Sequence, residues 1–194
     1  PAVTGTPTED QTLSADTSAI ADADGLGAFG YQWQRNGVNI GGATASTYTL
    51  GDADVGTRSR VVVSYTDGHG AAENLTSAAV GPIANVNDAP SGALIVTGTA
   101  TEDQTLSADT STIADTDGLG AFSYQWQRNG VNIGGATGST YVLGDADVGT
   151  TVRVVVSYTD GNGTAESLTS AAAGPIANVN DAPQISSNGG GATA

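Results

Sequence analysis

The sequence predicts an all-β protein made of two consecutive β-sandwich domains, and three observations predict it. The first is a repeat. Glu9 and Glu102 open the same string, EDQTLSADTS, at a period of 93 residues (102 − 9), and Trp33 and Trp126 keep that period. The second is alternation: FSYQWQ sets Phe122, Tyr124 and Trp126 on one face and Ser123, Gln125 and Gln127 on the other, the period-2 signature of a half-buried strand. The third is punctuation, because Gly, Asp, Asn and Pro interrupt the chain about every 8–12 residues, as in a sandwich of short strands. No segment carries helical periodicity.

Taking the second repeat in order, ALIVTG predicts a strand over 93–98 and QTLSADT one over 104–110. AFSYQWQR predicts the third, over 121–128. Asn129-Gly130 then supplies a type I′ hairpin signal before a short fourth strand, VNI, over 131–133. STYVL predicts the fifth over 139–143. TVRVVVSYT, with Val152, Val154, Val156 and Tyr158 in phase, predicts the sixth over 151–159, and TAESLTSAAA the seventh over 164–173. The first repeat carries the same set 93 residues earlier. Thr8–Pro90 and Thr101–Pro183 differ at 11 of 83 positions. A unit of this length can fold alone, so the period marks an array of domains rather than a short-repeat solenoid. The expected boundaries are 1–90 and 91–183, with 184–194 the start of a further repeat or a disordered tail.

The formal net charge is −15, from 20 acids against 5 basic residues, all arginine. The repeats share it almost evenly, ten acids and three arginines in 1–90 (−7) and ten acids and two arginines in 91–183 (−8). Such a surface excludes nucleic acid and anionic membranes as partners and suits a cation. No stretch approaches the roughly 18 apolar residues of a membrane helix, and no signal peptide is recognisable, so the segment is expected to be excised from a longer chain. Cysteine is absent, so no disulfide staples the fold, and the absence of lysine removes Lys–Asn isopeptide cross-links. Stiffness must come from packing or from metal.

The string YQWQRNGVNIGGATGSTYVLGDADVG, followed by VRVVVSYTDG, resembles an immunoglobulin-like domain. Trp126 stands where the core Trp of the third strand belongs, and DADVG resembles the Asp-x-Gly turn before the sixth strand. The two Cys positions of antibody domains are missing, and Leu106 with Val154 or Val156 is expected to fill their place. The whole repeat, ending in NVNDAP, is similar to the immunoglobulin-like and cadherin-like repeats of giant secreted bacterial adhesins of the RTX and biofilm-associated type. That resemblance implies two tandem sandwiches of about seven strands each, on the bacterial cell surface.

The octapeptide IANVNDAP occurs twice, as Ile83–Pro90 and Ile176–Pro183. In an immunoglobulin-like sandwich the turns TED (Glu9, Asp10) and GDADVG (Asp52, Asp54) lie at the end where the chain leaves. The loops DTDGLG (Asp115, Asp117) and TDGNG (Asp160) lie at the end where the next domain begins. Between them runs Asn85-Val86-Asn87-Asp88. Crowded carboxylates repel unless neutralised, and calcium takes 6–8 hard oxygen ligands from Asp, Asn and carbonyl groups. The layout resembles a cadherin junction, which implies Glu9, Asp52, Asp54, Asn85, Asn87, Asp88, Asp115 and Asp117 as ligands of one or two calcium ions. Asp54 and Asp147 have a second reading, as caps of the turn before the sixth strand. DADG and DTDG match the start of an EF-hand loop but lack its later Glu.

Catalysis is not expected. The single histidine, His69, is replaced by Asn162 in the second repeat, and no cysteine or lysine offers a nucleophile. Asp22 and Asp24 lack aromatic sugar platforms nearby, and both tryptophans read as core. Asp16, Asp109, Glu73 and Glu166 read as solvated. The expected role is a structural extender, a monomer whose partners are its neighbouring repeats and calcium ions. The alternatives are a carbohydrate- or protein-binding module, and a non-catalytic spacer of a secreted enzyme.

Overall fold

The structure, a computed structural model, describes residues 1–183, so the expectation for 184–194 lies outside it. The described residues contain no α-helix, and the chain divides between Asp88 and Ala89 into two compact units. Each unit is an immunoglobulin-like β-sandwich of seven antiparallel strands.

In the first unit β1 (Ala2–Thr4), β2 (Thr12–Asp16) and β5 (Thr47–Thr49) form one sheet in the order β1-β2-β5. The other sheet joins β3 (Gly30–Arg35), β4 (Val38–Asn39), β6 (Ser59–Thr66) and β7 (Ala72–Thr76) in the order β4-β3-β6-β7. The fourth strand pairs with the third because the Asn36-Gly37 turn folds it straight back, with both turn residues at positive φ (47° and 85°) and Arg35 opposite Val38. A turn of that hand matches the twist of the strands it joins. The second unit repeats the plan. Its β8 (Ile95–Thr97), β9 (Thr105–Asp109) and β12 (Thr140–Val142) make one sheet. Its β10 (Ser123–Arg128), β11 (Val131–Asn132), β13 (Val152–Thr159) and β14 (Ala165–Thr169) make the other.

Each core is the layer between the sheets. In the first unit it is Leu13, Trp33, Leu50, Val61, Val63 and Ile83, all essentially inaccessible. Trp33 keeps its indole N–H satisfied by donating to the Ala45 carbonyl at 3.0 Å and stacks on Tyr48 at a ring separation of 5.8 Å. Leu106, Val154 and Val156, the residues expected in place of the missing cysteines, are each 0 % exposed in the second core. Full burial of each such side chain contributes about 1.5–3 kcal/mol.

The seventh strand is shorter than its apolar run predicts, ending at Thr76 and Thr169 rather than at 80 and 173. The reason is Ser77, whose hydroxyl replaces a ladder partner: its Oγ accepts from Val61 N–H at 3.0 Å and donates to the Ala78 carbonyl at 2.9 Å. The chain bulges there and rejoins the sheet where Ser59 and Val80 exchange both backbone bonds. Ser170 does the same in the second unit.

The first residues of IANVNDAP belong to the body of the sandwich. Ile83 is buried, Ala84 N–H donates to Pro7 O, and Glu9 N–H donates to Ala84 O, each at 2.9 Å. Gly56 N–H donates to the Ile83 carbonyl at 2.9 Å. The octapeptide is thus bonded to its own unit at Ile83, Ala84 and Val86.

Candidate cation site

Glu9 follows Thr8 into a tight turn whose next residue, Asp10, takes the left-handed conformation at φ 61°. Asp in place of Gly is tolerated there because its short polar side chain lowers the penalty. The turn swings the Glu9 side chain inward, where it is 1 % exposed. Its Oε2 accepts from Val86 N–H at 3.0 Å. Asp52 opens a single 3-10 turn, Asp52–Asp54, and Asp88 ends the segment that Val86 anchors. These elements bring one carboxylate oxygen from each of Glu9, Asp52 and Asp88 within 4.8 Å of one another. The second unit repeats the group with Glu102, Asp145 and Asp181, and Val179 N–H donates to Glu102 Oε2 at 2.9 Å.

The electrostatics of both groups run the same way. Burial, then the neighbouring Asp52 and Asp88, raise the Glu9 carboxyl above the ordinary glutamate range against the pull of the Val86 N–H. For Glu102 the Val179 N–H pulls downward, but burial with Asp145 and Asp181 outweighs it and the net shift is again upward. Three carboxylates this close suit a hard divalent cation. Calcium–oxygen distances of about 2.3–2.6 Å place ligands on opposite sides of one ion about 5 Å apart. With no His or Cys in either group, the donor set fits calcium rather than zinc.

Of the residues expected as ligands, Asp54 stands apart from this group. It is buried, its Oδ1 receives the Arg35 Nε–H at 2.7 Å, and its Oδ2 receives Tyr48 O–H at 2.8 Å and Gly51 N–H at 3.0 Å. Burial pushes the Asp54 carboxyl upward, but Arg35, Gly51 and Tyr48 together hold it below the ordinary range. Of its two readings, turn cap and ligand, the geometry is that of the cap, and Asp147 with Arg128, Tyr141 and Gly144 reproduces it. Asn85 and Asn87 lie on the segment between Ala84 and Asp88, Asn85 half-buried and Asn87 exposed.

Asp115 and Asp117 belong to the second unit and form a loop of their own. Asp115 Oδ1 accepts from Asp117 N–H at 2.9 Å and its Oδ2 from Tyr158 O–H. Asn162 donates its side-chain amide to Asp117 Oδ1 at 2.9 Å. In the first unit the corresponding Asp22 is held by Asp24 N–H and Tyr65 O–H, and Asp24 faces His69 at 3.3 Å. Sequence reading did not single out Glu102, Asp145 and Asp181, although adding 93 to 9, 52 and 88 yields those numbers. The Arg35–Asp54 and Arg128–Asp147 pairs, each between a buried aspartate and a half-buried arginine, also went unrecognised, because their partners lie 19 residues apart on different elements.

No family model matches the sequence, and no curated protein matches it. Among solved structures the chain is similar to domains A168–A170 of titin, at 12 % identity and a TM-score of 0.31, over 92 % of this chain and 60 % of that one. It is similar to fibronectin(III)-like modules of Clostridium thermocellum CbhA, at 13 % identity and a TM-score of 0.27, over 94 % of this chain and 99 % of that one. It is also similar to the chicken CNTN1 FN1–FN3 domains, at 12 % identity and a TM-score of 0.23, over 88 % of this chain and 66 % of that one. The chain thus spans less than two thirds of the titin and CNTN1 fragments.

Proposed function

We propose that the chain is a pair of structural extender repeats from a bacterial cell-surface adhesin. Calcium bound at the C-terminal end of each sandwich stiffens the array. The observation that carries this reading is the convergence of Glu9, Asp52 and Asp88 oxygens within 4.8 Å, repeated by Glu102, Asp145 and Asp181. In each group the buried glutamate also holds the outgoing backbone, so an ion there ties the outgoing chain to the body of its repeat. Asn85 and Asn87, on the same segment as Asp88, are proposed to complete the coordination. The repeats work without catalysis, extracellularly, as a monomeric spacer that supports adhesion or biofilm formation.

Calorimetric titration of the chain with calcium tests the reading. The expected result is saturable binding lost stepwise in Glu9→Gln and Glu102→Gln, with a higher melting temperature in calcium than in EGTA. Small-angle scattering of the same samples should show a narrower range of conformations with calcium. Binding unaltered by either substitution would overturn the assignment of these sites.

A further inference from the structure

The two cores differ in sequence at two places: Leu94, 6 % exposed in the second core, stands where the first unit has Pro1, and the other difference is paired. Ser59 and Val80 face each other across an antiparallel bridge, N–H to carbonyl at 3.0 and 2.8 Å, and Val152 and Ala173 face each other across the same bridge in the second unit. The exchange is reciprocal. Each pair holds one valine, on opposite strands, beside a serine in one unit and an alanine in the other. What remains of the difference is a hydroxyl and the position of the valine.

Both act in one direction. Ser59 is 0 % exposed and its Oγ has no hydrogen-bond partner, so the first unit buries a hydroxyl that water would otherwise satisfy. Val152, in the same place, is 0 % exposed and part of the second core, whereas Val80 is only partly buried at the edge of the first. The first unit therefore withdraws less apolar surface and leaves a polar atom unsatisfied. Two other differences oppose one another. Gly30 within β3, against Ser123, weakens the first unit, and Gly138, against Ala45, weakens the second.

We infer that the two nearly identical repeats open in order, the first unit yielding well before the second, and that the Ser59/Val80 pair sets the order together with Pro1 in the place of Leu94. Tandem copies tuned to yield one at a time lengthen in steps under load, and only one stretch of unfolded chain is exposed at once. The inference is independent of calcium, since none of these residues belongs to a carboxylate group.

Hydrogen exchange of the intact 194-residue chain in EGTA, read by mass spectrometry peptide by peptide, tests it. Peptides covering β3 and β6 should exchange through global opening at least about tenfold faster than those covering β10 and β13, since an unmade buried hydrogen bond alone accounts for that factor. The double variant Ser59→Val with Val80→Ala should slow exchange of the first unit and narrow the gap between the two, leaving the part that Leu94 contributes. The reverse variant, Val152→Ser with Ala173→Val, should speed the second unit while leaving the first unchanged. Equal rates in the unaltered chain, or a gap in rates unmoved by both exchanges, would overturn the inference. Failure of one double variant to fold leaves the other decisive.

Discussion

The Val86 N–H donates to Glu9 Oε2 at 3.0 Å across 77 positions of chain, and Val179 and Glu102 repeat the bond across the same separation. Each bond joins the outgoing segment of a sandwich to the turn that follows its first strand. The residue that accepts it also sits among two aspartates, so the direction of the chain and the charge of the site meet in a single carboxylate.

Replacing that carboxylate by its amide separates the two roles. In Glu9→Gln the side-chain carbonyl still accepts the Val86 N–H, while one negative charge leaves the group. Without calcium, stability should hold or rise slightly, because repulsion with Asp52 and Asp88 falls. With calcium, affinity at this site should drop by tenfold or more. Paired thermal melts in calcium and in EGTA check both signs, and a loss of stability in EGTA would contradict the role given to repulsion.

Acid should act on the calcium-free protein in two opposite ways. Glu9 and Glu102 titrate above their unfolded range, so the folded state binds more protons than the unfolded one there. Their contribution is fully present below the ordinary glutamate value of about 4.3 and is lost as pH rises through the raised one. Asp54 and Asp147 titrate below their unfolded range, so theirs is present above about 3.9 and is lost as pH falls through the lowered value. Urea melts in EGTA from pH 3 to 8 should find maximal stability on the weakly acidic side. Calcium should flatten the decline toward neutral pH.

Arg35→Ala should destabilise the first unit by about 2–3 kcal/mol, because Asp54, 1 % exposed, keeps only Tyr48 and Gly51 as partners. Arg128→Ala should act likewise in the second unit. Calcium affinity should be unchanged in both, since neither Asp54 nor Asp147 belongs to a carboxylate group. A fall in affinity comparable to that of Glu9→Gln would return Asp54 to the ligand set.

Ser77→Ala should cost about 1–3 kcal/mol, beyond the usual range for so small a change, by leaving the buried Val61 N–H without an acceptor. Ser77→Thr retains the hydroxyl and should recover part of the loss. Denaturant melts should show a lower midpoint at an unchanged m-value, a change in stability rather than in the surface exposed on unfolding.

The period of 93 residues, the seven strands and the tryptophan core were legible in the chain itself. Repetition, alternation and Asn-Gly turns are local properties, and strand alternation says which side chains must face inward. Glu9, Asp52 and Asp88 were named together as ligands only through the resemblance to a cadherin junction, within a wider set of eight that also held Asp54. Glu9 and Asp10 are adjacent acids of one turn, and the left-handed turn buries the first and leaves the second exposed. Asp52 and Asp54 sit two residues apart in one string, yet a single 3-10 turn points one toward Glu9 and gives the other to Arg35. The end of the seventh strand was likewise hidden, because a serine hydroxyl there does the work of a backbone carbonyl. By itself the sequence determined the fold, the domain count and the acidic character, all of which follow from residue type and spacing. Only the tertiary structure decided which carboxylates converge, which one is buried in an ion pair, and that Ser59 lies where its copy has a valine in the core. These depend on side chains from distant segments meeting, and no local pattern encodes such a meeting.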